Sequence, residues 1–78
     1  MARFTKLQGQ YLAFIDAYTK VHRTPPAEED IRKYFRVTPP SVHQMILTLE
    51  KHGLVSRVPG KPRSVSVLVP RAELPRLE

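Results

Sequence analysis

The stretch that decides the fold is Thr38-Pro39-Pro40-Ser41-Val42-His43-Gln44-Met45-Ile46-Leu47-Thr48-Leu49-Glu50-Lys51-His52-Gly53. It opens with a helix-start signal, because Thr38 can accept a hydrogen bond at the N-cap and Pro39 suits the first helical position. It closes at Gly53, a residue suited to the left-handed turn that ends a helix. The sequence therefore predicts a helix from Pro39 to about His52.

The two faces of this predicted helix differ in chemistry. At about 100° per residue, one side collects Val42, Met45, Ile46 and Leu49. The opposite side collects Pro40, His43, Gln44, Leu47 and Lys51. Amide, imidazole and ammonium groups, with no acid before Glu50, are typical of a helix that reads base edges in a DNA groove. A solvated helix surface has a similar composition, so the rest of the chain has to separate the two interpretations.

Length and composition narrow the class of protein. The chain has 78 residues, enough for one small domain, and no cysteine, which excludes disulfides and thiolate metal sites. It contains no apolar run of roughly 20 residues that could span a bilayer and no apolar core of a signal peptide. We expect a cytoplasmic protein with no membrane partner.

Positive charge is concentrated in the centre and the C-terminal half. The whole chain carries 13 Lys and Arg against 7 Asp and Glu, a net charge of +6. Between Ile31 and Ala72 there are eight basic residues and one acid, a net charge of +7. Such a basic segment favours a polyanionic partner.

Two more helices are predicted before this stretch. Thr5 and Gln8 form a capping-box pattern, and the apolar spacing that follows predicts a helix from about 6 to 21. Its aromatic residues, Tyr11, Phe14 and Tyr18, recur at the spacing of a buried helix face. We favour a role in the core for them over a stacking platform for single-stranded bases.

After Pro25-Pro26, a short helix is predicted from Ala27 to about Phe35. Glu28, Glu29 and Asp30 lie in its first turn, where the helix dipole favours acids, and we prefer that role to a metal or acid/base cluster. The tight connection Arg36-Val37 then makes a helix-turn-helix arrangement.

Beyond Gly53 the pattern becomes that of strands. Residues 54–58 and 64–69 are rich in β-branched side chains, and the turn residues 59–63 between them carry two positive charges. We predict a mainly α fold with a β-hairpin, a three-helix winged helix-turn-helix, over residues 1–69, followed by a loose C-terminal tail over residues 70–78.

Residues 4–68 resemble the N-terminal winged helix-turn-helix domain of LexA-type bacterial repressors. The resemblance rests on Phe4-Thr5, Thr24-Pro25-Pro26, Ile31, Thr38-Pro39, Leu49, Lys51-His52-Gly53-Leu54-Val55, Gly60 and Arg63. It departs at Ala27, where the family caps the second helix with a hydroxyl, and at Arg36, which replaces a turn glycine. The sequence ends where the linker to a self-cleaving serine peptidase domain would begin. The resemblance therefore implies DNA binding by this module, and it does not imply a self-cleaving switch.

We predict a sequence-specific double-stranded DNA-binding protein, a repressor-like transcriptional regulator, with the third helix in the major groove and the wing on the backbone or minor groove. Gln44 can pair with adenine, Thr38 and Ser41 can donate to bases or phosphate, and His43 can donate or accept. The candidate DNA-binding residues are Thr38, Pro40, Ser41, His43, Gln44, Leu47, Lys51, Arg36, Arg23, Lys61 and Arg63. Arg23, Arg36, Lys51, Lys61 and Arg63 are the predicted phosphate contacts.

An alternative is a winged helix used for protein association, motivated by Leu47 and by Leu74 and Leu77 in the tail. Leu47 can pack beneath the wing, touch a partner subunit or approach the DNA. A homodimer or a partner protein fits either function. We expect no enzymatic activity, cofactor or small-molecule substrate, because the sequence has no nucleophile elbow and no phosphate-cradling glycine loop. We expect no metal site, because the chain has no cysteine and His22, His43 and His52 contain no i, i+4 pair.

Overall fold

The computed structural model describes residues 3–78, so residues 1 and 2 of the predicted domain lie outside the described residues. Its elements are α1 (Lys6–His22), α2 (Glu28–Phe35), α3 (Pro39–Lys51), β1 (Val55–Ser56), β2 (Ser66–Val67) and a 3₁₀ turn at Arg71–Glu73. The two strands pair in an antiparallel hairpin. Three helices followed by this hairpin confirm the predicted winged helix-turn-helix.

The starts of α1 and α3 have the predicted caps. At α1, Gln8 N donates to Thr5 Oγ1 at 3.1 Å, and Thr5 N donates to Gln8 Oε1 at 2.9 Å. At α3, Ser41 N donates to Thr38 Oγ1 at 3.3 Å, and Pro39 takes the first helical position. Gly53 follows α3 with a φ of +72°, the left-handed geometry expected of it. Local sequence signals therefore fix both ends of the third helix.

Both departures from the family pattern occur at the ends of α2. Ala27 offers no side-chain cap, and only the reciprocal bond is made, from Ala27 N to Asp30 Oδ2 at 2.8 Å. At the other end, Arg36 adopts a left-handed φ of 56°, and its N–H donates to Arg32 O at 2.8 Å. An arginine thus takes the conformation that glycine adopts most easily.

The core lies where the three helices meet the base of the hairpin. Its members are Tyr11, Leu12, Phe14, Ile15, Ile31, Val42, Ile46, Leu49, Leu54, Val55, Val65 and Val69. The Tyr11 ring stacks on Phe35 at 4.3 Å between centroids. Tyr11 and Phe14 are buried and Tyr18 is half-buried, so the interpretation of these aromatics as core is confirmed.

The wing strands are shorter than predicted. Only Val55 and Ser56 pair with Val67 and Ser66, whereas strands over 54–58 and 64–69 were expected. In the loop between them, Val58 N donates to Ser64 Oγ at 2.9 Å, a side-chain bond that replaces a ladder bond. Pro59 and Pro62 in the same loop have no N–H to donate. The wing beyond residue 57 is therefore a loop held by side chains.

Residues 70–78, predicted to be a loose tail, lie instead against α1. Arg71 pairs with Asp16 at 3.2 Å, and Leu74 and Leu77 pack against the core. The prediction of looseness was wrong because the two leucines pack on an apolar surface and Arg71 has an acidic partner on α1. The division into domains at residues 69 and 70 stays a prediction.

Candidate nucleic-acid interface

The outer face of α3 carries the polar residues predicted for it. Pro40, Ser41, His43, Gln44 and Lys51 are exposed. Val42, Ile46 and Leu49, on the inner face, are buried. The helix therefore presents its amide, imidazole and ammonium groups to solvent, and its apolar residues pack against the body of the domain.

The N-terminus of α3 carries two exposed hydroxyls. Those of Thr38 and Ser41 lie 2.9 Å apart, and the first turn contains no acid. The first two helical positions are prolines without an N–H, and the N–H groups of Ser41 and Val42 donate to Thr38 Oγ1 and Thr38 O. The hydroxyls, rather than backbone N–H groups, are therefore the donors available here, and their contact with a base or a phosphate stays a prediction.

His43 has a partner that the sequence did not reveal. Its Nδ1 lies 3.1 Å from Glu28 Oε2, and both side chains are about half exposed. When Nδ1 carries the proton, it donates to the carboxylate and leaves Nε2 as the acceptor. One ring nitrogen is thus engaged within the protein, and the other remains for a base edge.

Leu47 and the tail leucines occupy different surroundings. Leu47 is half-buried and is not among the residues packed into the core, so its role stays open among the three alternatives. Leu74 and Leu77 pack against the core. The tail leucines, which motivated the protein-association alternative, are thus used inside the fold.

The exposed side chain of Arg63 contacts three other segments of the protein. Its Nη1 lies 2.9 Å from Asp30 Oδ2, and it donates to the Tyr18 hydroxyl at 3.1 Å and to Pro25 O at 3.3 Å. The hydrogen bond to Tyr18 raises the pKa of Arg63, burial opposes the rise, and the Asp30 charge adds to it, so that the pKa lies above its ordinary value. A phosphate contact by Arg63 stays a prediction, and these three contacts all use its Nη1.

The other predicted phosphate contacts have free charges. Within residues 3–78, Arg23, Arg36, Lys51 and Lys61 are exposed and make no ion pair. Arg57, which was not predicted as a site residue, pairs at 3.1 Å with Glu50, the one acid of α3. That pair neutralises the only negative charge on α3 itself.

An open cleft of about 400 Å³ lies between the α2–α3 pair and the wing. Glu28 and His43 line it on the helix side, and Gly60, Lys61 and Ser64 line it on the wing side. One residue of the outer face of α3, His43, and the basic wing tip therefore border one shared concave surface. The residues that line it come from elements distant in sequence.

Two other classes of site have no counterpart in residues 3–78. No three or more His, Asp or Glu side chains lie together there as a metal site would require. No helix in this part of the chain has the length and apolar character of a membrane span.

Comparison with known proteins identifies relatives over most of the chain. A family model described as the LexA DNA binding domain matches residues 1–64. The chain is 40% identical over 73 residues to the LexA repressor of Thermosipho africanus, covering 94% of this chain and 36% of the relative. It is 38% identical over 73 residues to that of Thermosipho melanesiensis, with the same coverage. It is 34% identical over 67 residues to that of Thermotoga petrophila, covering 86% of this chain and 34% of the relative. The chain thus spans about a third of the length of these curated relatives.

Proposed function

The chain belongs to the LexA DNA-binding domain family, and on this premise we propose that it binds double-stranded DNA sequence-specifically as a repressor-like transcriptional regulator. The observation that carries the proposal is the shared cleft, which His43 of α3 and Lys61 of the wing line from opposite sides. A helix and a basic loop on one concave surface can engage the major groove and the adjoining backbone together. We place this activity in the bacterial cytoplasm.

Residues in the first turns of α3 contact the base edges. The exposed amide of Gln44 can form a bidentate pair with adenine, worth about 1–3 kcal/mol of discrimination. Pro40 can contact a thymine methyl, and His43 can present Nε2 while Glu28 holds Nδ1. The α3 face has no arginine for guanine, so we expect recognition of A·T-rich positions.

The phosphate contacts around α3 supply most of the affinity for DNA. Arg36 lies just before α3 and Lys51 at its end, while Arg23 follows α1 and Lys61 lies in the wing. Because their charges are unpaired within residues 3–78, each can neutralise a phosphate and release a counterion. Thr38 and Ser41 add neutral donors at the helix start.

The decisive experiment is selection of binding sites from random duplex DNA, followed by affinity measurements on the selected site. We expect an enriched motif, and a Gln44→Ala variant that accepts changes at one adenine position. Lys20→Ala, an exposed change outside the cleft, serves as the control that keeps the wild-type preference. A palindromic motif would support a homodimer. Failure to enrich any motif would refute sequence-specific binding.

A further inference from the structure

The three consecutive acids of the first turn of α2 have three different partners. Glu28 contacts His43 of α3 at 3.1 Å, and Glu29 pairs with Arg32 of its own helix at 2.6 Å. Asp30 pairs with Arg63 of the wing at 2.9 Å. The Asp30 pair thus joins the wing loop to the helical body.

The wing needs such a connection because its ladder is short. Only two residues of each strand are paired, and the Arg57–Glu50 pair lies at the base of the loop. Arg63 lies at the far end of the loop and contacts Tyr18 of α1, the carbonyl of Pro25 and Asp30 of α2. These contacts connect the wing loop to the helical body.

We propose that Arg63 is a positioning residue that holds the wing at the angle DNA binding requires, through Asp30 and Tyr18, and that it does not itself neutralise a phosphate. The proposal rests on the proposed DNA-binding function. A guanidinium already paired with a carboxylate carries little net charge toward a phosphate, and drawing it to a phosphate would leave the Asp30 carboxylate without its cationic partner. Burial opposes ionisation of Asp30, but the Ala27 N–H and the Arg63 charge outweigh it and lower the pKa, so Asp30 is ionised at neutral pH.

The test uses Asp30→Asn, with Glu29→Gln as the matched control. Both changes remove one negative charge from the same helical turn, and an asparagine oxygen can still accept the hydrogen bond from Ala27 N. If Arg63 positions the wing, Asp30→Asn weakens DNA binding by about tenfold, equal to about 1.4 kcal/mol, although the protein becomes more positive. Glu29→Gln binds as tightly as wild type or slightly more tightly.

Arg63 variants give an independent reading from salt dependence. If Arg63 neutralised a phosphate, Arg63→Gln would reduce the log–log salt slope by about 0.9. The positioning role predicts weaker binding with an unchanged slope. It also predicts that Asp30→Asn adds little further loss in the Arg63→Gln background, since both changes remove the same ion pair. Arg63→Lys, which keeps the charge but not the planar fork, should lose affinity as well.

Three outcomes would overturn the proposal: tighter DNA binding by Asp30→Asn, a reduced salt slope in Arg63→Gln, or a wing loop that is as well ordered in Asp30→Asn as in the wild type. Wing order is read without DNA, from NMR order parameters of residues 58–64, which should fall in Asp30→Asn and not in Glu29→Gln. If Asp30→Asn fails to fold by circular dichroism, Arg63→Lys is measured in its place. Absence of duplex binding by the wild type would refute the proposed function, while the order parameters would still decide the positioning role.

Discussion

Gln10 and Glu78 are joined across the fold by a hydrogen bond of 2.8 Å, from the Glu78 backbone N–H to the Gln10 Oε1. The other end of the same amide donates from Nε2 to Arg76 O at 2.9 Å. Gln10 is 8% exposed, the one polar side chain among the buried residues described. Because its oxygen and its nitrogen both have partners, its burial is compatible with stability. The backbone of residues 76–78 is therefore recognised by a side chain of α1.

This relationship predicts the effect of Gln10→Leu. The change keeps the volume but removes both hydrogen bonds, so we expect a loss of about 1–3 kcal/mol in the free energy of unfolding, measured by urea denaturation. Gln44→Leu is the matched control, because Gln44 is exposed on α3, and its effect should stay within about 0.5 kcal/mol. Equal effects from the two variants would contradict the assigned role of Gln10.

The position of the tail was not predictable from local pattern. Its two prolines and alternating charges, read alone, are typical of a mobile linker, and Gln10 on α1 is simply a polar residue within an apolar region. The Gln10 contacts span 66 and 68 residues, a separation at which periodicity carries no information. The three helices were predictable because their caps and apolar spacing lie within a few residues of each other.

The missing cap of α2 predicts a stabilising change, Ala27→Ser. Ala27 already has N-cap geometry, with φ −81° and ψ 164°, and Asp30 already supplies the reciprocal bond. A serine hydroxyl would accept from the Asp30 N–H and complete the capping box, adding about 0.5–1 kcal/mol to the free energy of unfolding. Ala27→Val, which adds bulk without an acceptor, should give no gain. A higher melting temperature for the valine variant would refute this explanation.

The lowered pKa of Asp30 predicts that part of the free energy of unfolding is lost in acid. Burial alone would raise its pKa, but the hydrogen bond from Ala27 N and the Arg63 charge bring it below its ordinary value of 3.8. A carboxyl with a lowered folded pKa contributes stability that is fully present above its unfolded pKa and is lost as the pH falls through the folded pKa. Asp30→Asn should therefore be less stable than wild type at pH 7, and the difference should shrink below about pH 4. Urea denaturation from pH 7 to pH 2 measures this, with a constant difference as the contradicting result.

The candidate interface was predictable only in part. The exposed face of α3 follows from helical spacing, and its residues lie where the sequence placed them. The contacts of His43 and Arg63 do not follow from spacing, because they join residues 15 and 33 positions away in different elements. The opposite charges of the α2 start and the wing were the available signal, but charge complementarity alone does not select which acid meets which base.

Glu28 predicts a gain in DNA affinity when its charge is removed. Its carboxylate lines the cleft beside His43 and would repel a nearby phosphate backbone. Glu28→Gln should bind a selected duplex about threefold more tightly at low salt, and the gain should fade as screening increases. Glu73→Gln, an equal charge change in the exposed 3₁₀ turn, should have a smaller effect. If Glu73→Gln matched the gain, net charge rather than position would explain it.

Alanine variants of Lys61 and Lys20 distinguish a local phosphate contact from the general attraction between a basic protein and DNA. Both lysines are exposed, and only Lys61 lines the cleft. Replacing either with alanine lowers the net charge by one, but only a lysine that displaces a condensed counterion changes the number of ions released on binding. Lys61→Ala should reduce the log–log salt slope by about 0.9 and weaken binding to all duplexes alike. Lys20→Ala should leave the slope unchanged. Equal slopes for the two variants, measured by fluorescence anisotropy across salt concentrations, would remove Lys61 from the interface.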